Sequence, residues 1–328
     1  MLPTGNLVCS YQGPPMRVRL LKTCTTLILA AMWMADPSSA APTVSRIWGT
    51  QGSSPGQFYY PYGIAVSPAG DVYVSDQYNY RIQRFTSTGD FISAWGSQGP
   101  GPGQFQLTIG IGIDSQGTVY VADYGNDRVQ VFTPSGAFIR QWGMVKPRDV
   151  AIDPSGLIHV VADGLLGSIE VFTSNGVHVS TWGNGLLKRP TSITFDASGS
   201  AYVTEADAQQ VSKWNSSHQR VLMWGSDGSG PGQFHAPSGV AISPDGSVLV
   251  TDFSNDRVQQ FSSDGAFKQQ WGALGSAPGQ FSSPADVAID AGGNIYVVEL
   301  GNHRVQKFLD LATPTTRVSW GGLKHKFR

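Results

Sequence analysis

The chain has 328 residues, a formal net charge of −1, 14% charged residues and 40 glycines. This length suits one closed domain, and few charges with many glycines are expected of a turn-rich all-β chain. The chain lacks the basic excess of nucleic-acid-binding proteins, so we expect no nucleic-acid partner.

The N-terminal residues 1–40 resemble a signal peptide. Arg17, Arg19 and Lys22 precede an apolar run at residues 25–35, and small residues follow up to Ala40. This order is typical of a cleaved export signal, with cleavage after Ala40 and with Met16 as an alternative start. The alternative is an uncleaved anchor, for which the apolar run is short. We therefore expect a secreted or periplasmic protein, with no membrane span after signal removal. The mature chain would then have no cysteine, since both cysteines lie before residue 40.

A Trp-Gly pair recurs seven times after the signal region. Successive pairs are 47, 47, 40, 42, 47 and 49 residues apart, at Trp48, Trp95, Trp142, Trp182, Trp224, Trp271 and Trp320. A period of 40 to 50 residues that ends on the same dipeptide is typical of a closed array of like modules.

Each repeat unit contains four short alternating runs. In residues 62–96 these runs are rich in Val, Ile, Tyr and Phe and are bounded by Gly, Pro, Ser and Asp, which predicts a four-stranded antiparallel meander. Every unit also places an acidic residue nine positions before an aromatic, as in Asp76 and Phe85 or Asp163 and Phe172. Because a lone small sheet cannot bury both faces, we predict an all-β, six-bladed β-propeller.

Seven Trp-Gly strands compete for six outer positions. The first, at residues 44–49, precedes any inner strand, and the last, at residues 317–321, follows unit six after a stretched link. We favour the N-terminal copy as the fourth strand of blade six, because it would close the ring; the C-terminal copy is the alternative. The propeller is predicted to span residues 41–321, followed by a short basic tail at residues 322–328.

The units resemble NHL repeats over about residues 44–321. The resemblance is strongest in segments 121–132 (VADYGNDRVQVF) and 299–308 (ELGNHRVQKF), and it implies the propeller fold without specifying an activity. Similar propellers include extracytoplasmic peptidyl-hydroxyglycine lyases, which hold zinc through His at the channel mouth, and lactonase-like calcium enzymes. Here none of the six equivalent positions is His, and only Asp149 and Asp286 are acids near the axis. Other NHL propellers stand beside a RING domain and bind RNA or protein, but this chain has no Cys/His cluster for a RING.

Units three and four depart from the others. The loops leading into units one, two, five and six share a Pro-Gly-Gln-Phe motif, whereas those into units three and four are short and lack it. The Asn and Arg of the loop between strands two and three are also missing from these two units. We call this sector, residues 144–148 and 184–189, the low sector; it carries Lys146, Arg148, Lys188 and Arg189 and could seat a ligand. The alternative is neutral drift in two blades.

The first inner-strand positions should surround the mouth of the central channel. They include Tyr62 and Arg148, and the next positions include Asp149 and Asp286 in the opposite units three and six. Two carboxylates near the axis could hold a hard cation such as calcium; the alternative is that each caps its own strand or meets an Arg. The repeated Asp and Arg pairs, by contrast, suit structural ion pairs.

Two functions remain open on the sequence. The first is an exported, non-catalytic scaffold, without a cofactor, that binds a protein, peptide or glycan through the loop face, with Lys146, Arg148, Lys188, Arg189 and Tyr62 as contacts. The alternative is a metal-dependent lyase or hydrolase at the channel mouth, with Asp149 and Asp286 as metal ligands and Arg148 stabilising negative charge.

Overall fold

The computed structural model describes residues 41–163 and 167–309, which form a six-bladed β-propeller of four-stranded antiparallel blades. The predicted signal peptide at 1–40, the last Trp-Gly strand at 317–321 and the basic tail at 322–328 lie outside the described residues. No helix in the described part of the chain is long and apolar enough to cross a membrane.

Each blade runs from an innermost to an outermost strand. Blade one contains β2 Pro61–Val66, β3 Val72–Asp76, β4 Arg81–Phe85 and β5 Phe91–Trp95, and blade two contains β6 Thr108–Ile113, β7 Val119–Asp123, β8 Arg128–Phe132 and β9 Phe138–Gly143. Blade three contains β10 Pro147–Ile152, β11 Ile158–Ala162, β12 Gly167–Phe172 and β13 His178–Leu187, and blade four contains β14 Pro190–Phe195, β15 Ala201–Glu205, β16 Gln210–Trp214 and β17 Arg220–Trp224. Blade five contains β18 Pro237–Ile242, β19 Val248–Asp252, β20 Arg257–Phe261 and β21 Phe267–Trp271, and blade six contains β22 Pro284–Ile289, β23 Ile295–Glu299, β24 Arg304–Leu309 and, as its outer strand, β1 Thr43–Trp48.

The N-terminal strand β1 closes blade six, which was the favoured prediction from the sequence. Strand β1 pairs antiparallel with β24, with Ile47 opposite Gln306 and Trp48 opposite Val305. Three strands from one end of the described chain and one from the other therefore share a sheet. The ring closes through hydrogen bonds and packing alone.

The Trp of each of the six described Trp-Gly pairs occupies the space between two blades. Trp48 of blade six lies against Tyr296 of its own blade and Phe85 of blade one, with ring centroids 6.3 and 6.0 Å apart. The arrangement repeats around the ring, so the 40–50-residue period is the spacing of these inter-blade contacts. A large aromatic at each junction removes apolar area from water, which is the main stabilising term for such an array.

In blades one, two, three and five, the turn before the outer strand packs onto the Trp of the preceding blade. A Cβ added to Gly89 would lie 2.7 Å from the ring of Trp48, and Gly89 has a φ of +83°. Both the close approach and the positive φ require glycine here. Blade four is the exception, because His218 holds this position at φ +56° and stacks on Trp182 with centroids 4.8 Å apart.

One register expectation is corrected in blade three. Pro147 pairs with Ala162, whereas Pro61 of blade one pairs with Asp76. Ala162, and not Asp163, therefore occupies the place of the repeated acid. The nine-residue spacing from Asp163 to Phe172 is real, but blade three has an additional residue between its second and third strands, and this shifts the acid by one position.

Candidate ligand-binding face

One face of the propeller is formed by the loops between blades and by the loops between second and third strands. In blade two, buried Arg128 donates to Asp123 at 2.8 Å and to the carbonyls of Gly101 and Gln104 at 2.8 and 2.6 Å. Asn126 and Gln130 also donate to Asp123, at 2.8 and 3.1 Å. The ion pair thus fastens an inter-blade loop to its blade, which confirms the structural interpretation of the Asp and Arg pairs.

The same network recurs in blades one, five and six, together with a buried Phe from the loop. The four networks centre on Asp76 with Arg81, Asp123 with Arg128, Asp252 with Arg257, and Glu299 with Arg304. The four phenylalanines are fully buried: Phe58, Phe105, Phe234 and Phe281. In four of the six blades, the ion pair and the buried Phe therefore hold the inter-blade loop against the blade.

The loops that lead into blades three and four are shorter and lack the Pro-Gly-Gln-Phe motif. Met144 and Leu187 are buried here, and Leu187 approaches Gly183 as Phe58 approaches Gly49 in the loop before blade one. In blade four, buried Glu205 accepts from the backbone N–H of Lys188 at 2.9 Å, without an Arg partner. The low sector is therefore a real asymmetry of the loop face, built from shorter connections.

The cations of the low sector differ in their surroundings. Lys146 lies 3.5 Å from Asp127 and 4.9 Å from the centre of the Tyr124 ring. Arg189 lies 3.3 Å from Asp207, and both side chains are more than half exposed. The exposed Lys188 has no carboxylate partner among the described residues. Exposed ion pairs of this type contribute little free energy and can be exchanged for a ligand.

Arg148 lies in the channel mouth, apart from the other three cations. It is mostly buried, and its Nη1 donates to Asp163 at 2.9 Å. Tyr124 donates its hydroxyl to the same carboxylate oxygen at 3.2 Å. Burial opposes the charge of Arg148, but Tyr62 and Asp163 more than offset it, so the pKa of Arg148 is raised. Asp163 was not identified as a site residue because its partner comes from another strand.

Tyr62 closes the mouth from the other side. Its hydroxyl lies 3.2 Å from Ser238 Oγ of blade five, so the side chain reaches across the ring. The six first positions and six second positions of the inner strands line this mouth, as the register predicts, around a cavity of only about 10 Å³. A cavity of this size admits about one water molecule. In this conformation the protein's own side chains leave no room in the mouth for a larger ligand.

Asp149 and Asp286 lie between the mouth and the central cavity and bridge neighbouring blades. Asp149 accepts from the backbone N–H of Ile193 of blade four at 3.0 Å, and Asp286 accepts from that of Ile64 of blade one at 3.0 Å. Each also accepts from the N–H of the residue that follows it, at 2.8 Å. A Cβ at Gly110 would lie 2.3 Å from the Asp149 carboxylate, so the glycine of the preceding blade makes room for this bridge.

The two carboxylates share a cavity of about 240 Å³ with the apolar side chains of the inner strands. Burial raises the pKa of Asp149 to about 6. Burial, followed by the charge of Asp149, holds the pKa of Asp286 well above its usual range. Each carboxylate has both oxygens engaged by N–H donors, which is the arrangement of a structural bridge. No group of three or more His, Cys, Asp or Glu with metal-ligand geometry occurs within residues 41–163 and 167–309.

Hydroxyl side chains bridge other inner junctions. Ser75 donates to the carbonyl of Ile109, and Thr204 donates to that of Ser238, both at 2.7 Å. Asp149 and Asp286 thus belong to a set of side chains that join inner strands, and the two acids are the members that accept from an N–H of a neighbouring blade.

An aromatic cluster lies on the loop face at the junction of blades six and one. Tyr59, Tyr60, Tyr78 and His303 have ring centroids 4.7 to 6.0 Å apart. The backbone N–H of Tyr60 donates to His303 Nδ1 at 3.0 Å. Tyr59 and Tyr78 remain 38% and 48% exposed. This cluster was not predicted from the sequence, although the density of tyrosines at 59, 60, 62, 78 and 80 indicated an aromatic surface in this blade.

His159 and His218 belong to the packing between blades three and four. His159 is fully buried, with Nε2 3.1 Å from Asp153, and Nδ1 accepts from the indole N–H of Trp182 at 3.3 Å. It occupies the place of Tyr120 or Tyr202, whose hydroxyls donate to the corresponding Asp in their blades. This confirms that His159 fills a strand face.

Comparison with known protein families matches four of the six repeats. The NHL repeat family model matches residues 58–85, 109–132, 234–261 and 281–308, which cover the first three strands of blades one, two, five and six. Comparison with curated proteins finds no match. The repeats of blades three and four, which lack the Asp and Arg network, are the ones that the family model does not match.

Solved structures share the fold at low sequence identity. A streptogramin B lyase is 12% identical with a TM-score of 0.60, covering 82% of this chain and 99% of that chain. A gluconolactonase from Xanthomonas campestris is 15% identical with a TM-score of 0.60, covering 84% and 97%. A chain of a nidogen/laminin complex is 20% identical with a TM-score of 0.54, covering 64% and 79%. These similarities establish the architecture alone.

Proposed function

We propose that this chain is an exported, non-catalytic binding scaffold, since four of its six blades match the NHL repeat and its channel mouth has room for about one water molecule. It holds a protein, peptide or glycan on its loop face, mainly over the low sector. Export rests on the predicted signal peptide at residues 1–40. The fold is compatible with this function and with catalysis, since its structural neighbours include two enzymes and a component of a protein complex.

The observation that most supports this proposal is the difference between blades three and four and the other four blades on the loop face. Four blades hold their inter-blade loops with a buried ion pair and a buried Phe, and two adjacent blades do not. A recess on one side of an otherwise regular rim is where a partner can make contacts that the rest of the ring does not offer. The mouth cavity of about 10 Å³ leaves the rim as the accessible surface.

The exposed cations of the low sector are the contacts we propose. Lys188 has no carboxylate partner in the described part of the chain, while Lys146 and Arg189 have only exposed ones. Arg148 and Tyr62 would contribute from the mouth, where Arg148 would keep Asp163 as its partner. The ligand surface would therefore carry acceptor groups opposite Lys188 and Arg189.

A capture experiment tests this function. The mature chain, immobilised on beads, is incubated with native envelope or culture-medium extract, and the captured component is identified, purified and titrated back. We expect K188A/R189A to weaken its binding, whereas K268A, which removes a cation from the outer strand of blade five, leaves binding unchanged. Equal binding by K188A/R189A and wild type would remove the low sector from the proposal.

A second candidate is a metal-dependent lyase or hydrolase in the channel. It is favoured by one observation, the raised pKa values of Asp149 and Asp286 on opposite sides of one cavity. Calcium suits two carboxylates with carbonyl and water ligands. Metal analysis of the purified chain and melting with and without a chelator separate the two candidates. Stoichiometric metal that is lost in D149A supports the enzyme, and a chelator-independent melt without bound metal supports the scaffold.

A further inference from the structure

The outer strand of blade four differs from the other five outer strands at its exposed positions. One and three residues before each Trp, at least one of the two side chains is polar or small in five blades. The pairs are Ile92 and Ala94, Ile139 and Gln141, Val179 and Thr181, Lys268 and Gln270, and Ser45 and Ile47. In blade four both are large and apolar, namely Val221 at 56% and Met223 at 48% exposure.

Strand β17 is also a free sheet edge. Within the described residues it pairs only with β16, in the order β14-β15-β16-β17. Such an edge presents unpaired N–H and C=O groups that can accept another strand, and proteins usually protect edges with Lys or Arg. Arg140, Lys268 and Arg46 stand within the outer strands of blades two, five and six. The outer strands of blades one and three contain no Lys or Arg, and that of blade four has only Arg220, at the first position of β17, so the large apolar pair is what distinguishes blade four.

Arg220 is turned toward the protein. Its Nη1 donates to the carbonyl of Leu186 at 3.2 Å, and its guanidinium lies 5.7 Å from the centre of the Trp214 ring. The contact brings Leu186, itself 50% exposed, beside the start of β17. Leu186 therefore extends the apolar surface of Val221 and Met223 toward the low sector, where Lys188 and Arg189 follow two and three residues later.

We propose that the edge of β17 is the docking site for an extended polypeptide segment of a partner protein, which adds to blade four as a fifth strand. Main-chain hydrogen bonds to β17 supply affinity, and alternate apolar side chains of the segment cover Val221, Met223 and Leu186. Acidic residues flanking the segment meet Lys188, which lacks a carboxylate partner among the described residues, and Arg189. The inference rests on the proposed function, because it assigns the partner class and places the contact on the flank of the low sector.

Charge favours a different protein over a second copy of this chain. An interface between two copies uses the same patch on both sides. In an antiparallel pair of β17 edges, the cations near the start of one strand would lie at the Trp224 end of the other, and β17 (RVLMW) contains no carboxylate to meet them. A segment with acidic residues at its ends supplies that carboxylate and gives the exposed Lys188 a partner.

A defined peptide tests the proposal. The probe is a fluorescein-labelled peptide of sequence Glu-Val-Thr-Ile-Thr-Val-Glu, titrated with the mature chain and followed by anisotropy. The variant V221K/M223Q gives blade four the residues that blade five has at these positions, Lys268 and Gln270, so the edge is changed to a form that this protein already folds with. The matched control is I92K, the same change at the same position of blade one.

We expect saturable binding by wild type, binding about tenfold weaker or more for V221K/M223Q, and wild-type binding for I92K. A peptide with Lys in place of both Glu residues should bind more weakly than the Glu peptide. Absence of saturable binding, equal binding by V221K/M223Q, or an equal loss in I92K overturns the proposal. Dimerisation of wild type in sedimentation experiments that is lost in V221K/M223Q would also overturn it, since a second copy would then occupy the edge.

The outcome is distinguishable from failure of the proposed function. If the component captured from extract binds V221K/M223Q as well as wild type but loses affinity for K188A/R189A, the loop-face scaffold stands and the edge proposal fails. If that component loses affinity for V221K/M223Q and keeps it for I92K, the edge of blade four is its docking site. Circular dichroism and melting of each variant confirm that the fold is retained.

Discussion

Arg148, the second residue of β10, and Asp163, the residue after β11, form an ion pair of 2.9 Å in the channel mouth. In blades one, two, five and six the acid pairs with an Arg from the third strand of the same hairpin. In blade three the additional residue moves the acid by one position, and its partner is Arg148 of the inner strand. The cation in the channel mouth is thus paired with the acid that the additional residue has displaced from its usual position.

Removing either partner of this pair should destabilise the protein. D163A leaves the mostly buried Arg148 without its carboxylate, and we expect a loss of about 2 kcal/mol in the free energy of unfolding. R148A should cost a similar amount, and R148A/D163A should cost less than the sum of the two. Urea denaturation of the four proteins measures the coupling. Strict additivity would show that the two groups do not interact.

Each of the repeated buried ion pairs should contribute more to the free energy of unfolding than an exposed ion pair does. R128A leaves Asp123, which is fully buried, without its cation, so we expect a loss of about 3 kcal/mol. R46A is the control, since Arg46 lies 3.9 Å from Asp90 and both side chains are more than half exposed. That variant should stay within about 0.5 kcal/mol of wild type. Equal effects of the two changes in denaturant melts would contradict the assignment of the network as a structural fastening.

Asp149 should destabilise the folded state at neutral pH. Burial raises its pKa from 3.8 in the unfolded reference to about 6, so its contribution is favourable below the unfolded value and is lost as pH rises through the folded one. D149N removes the charge and keeps one oxygen for the Ile193 N–H, but its NH2 group then faces the Val150 N–H. We expect the stability of D149N relative to wild type to rise by about 1–3 kcal/mol as the pH increases from about 4 to above 6. A pH-independent difference would be inconsistent with this titration.

His159 should make the fold sensitive to mild acid. Burial lowers its pKa from 6.5 to about 4, so the unfolded state binds the additional proton between these values and stability falls as pH decreases through that range. H159Y restores the residue found at 120 and 202, where the hydroxyl donates to an Asp. We expect H159Y to raise the melting temperature relative to wild type more at pH 5 than at pH 8. H218Y, at the neighbouring and partly exposed histidine, serves as the comparison.

Closure of blade six can be tested at the two competing Trp residues. Trp48 is 8% exposed and contacts Phe85 and Tyr296 across the junction, so W48A should cost about 3–5 kcal/mol. Trp320 lies outside the described residues, and W320A should have a much smaller effect if β1 alone fills the outer position. Thermal melts of both variants decide between them. A larger loss for W320A would assign the closing role to the C-terminal copy.

The amino-acid sequence by itself determined the number of blades, the four strands of each and the residues around the channel mouth. These follow from local patterns: alternation fixes which side chains face a junction, and a constant spacing of acid, aromatic and Trp fixes where each strand lies in its blade. The low sector was also visible, because missing loop residues break the repeat. The favoured N-terminal closure followed from the same count, with seven Trp-Gly strands for six outer positions.

Only the tertiary structure decided which groups meet across junctions. Asp149 bonds to Ile193 and Asp286 to Ile64 because neighbouring inner strands converge at the axis, and the second pair is 222 residues apart in the chain. The aromatic cluster of Tyr60 and His303 joins residues 243 positions apart. Ring closure creates such contacts, and no local periodicity encodes them. Exposure of Val221 and Met223 likewise depends on what the ring leaves uncovered, so the sequence pattern could place them on an outer strand but could not show that both remain about half exposed.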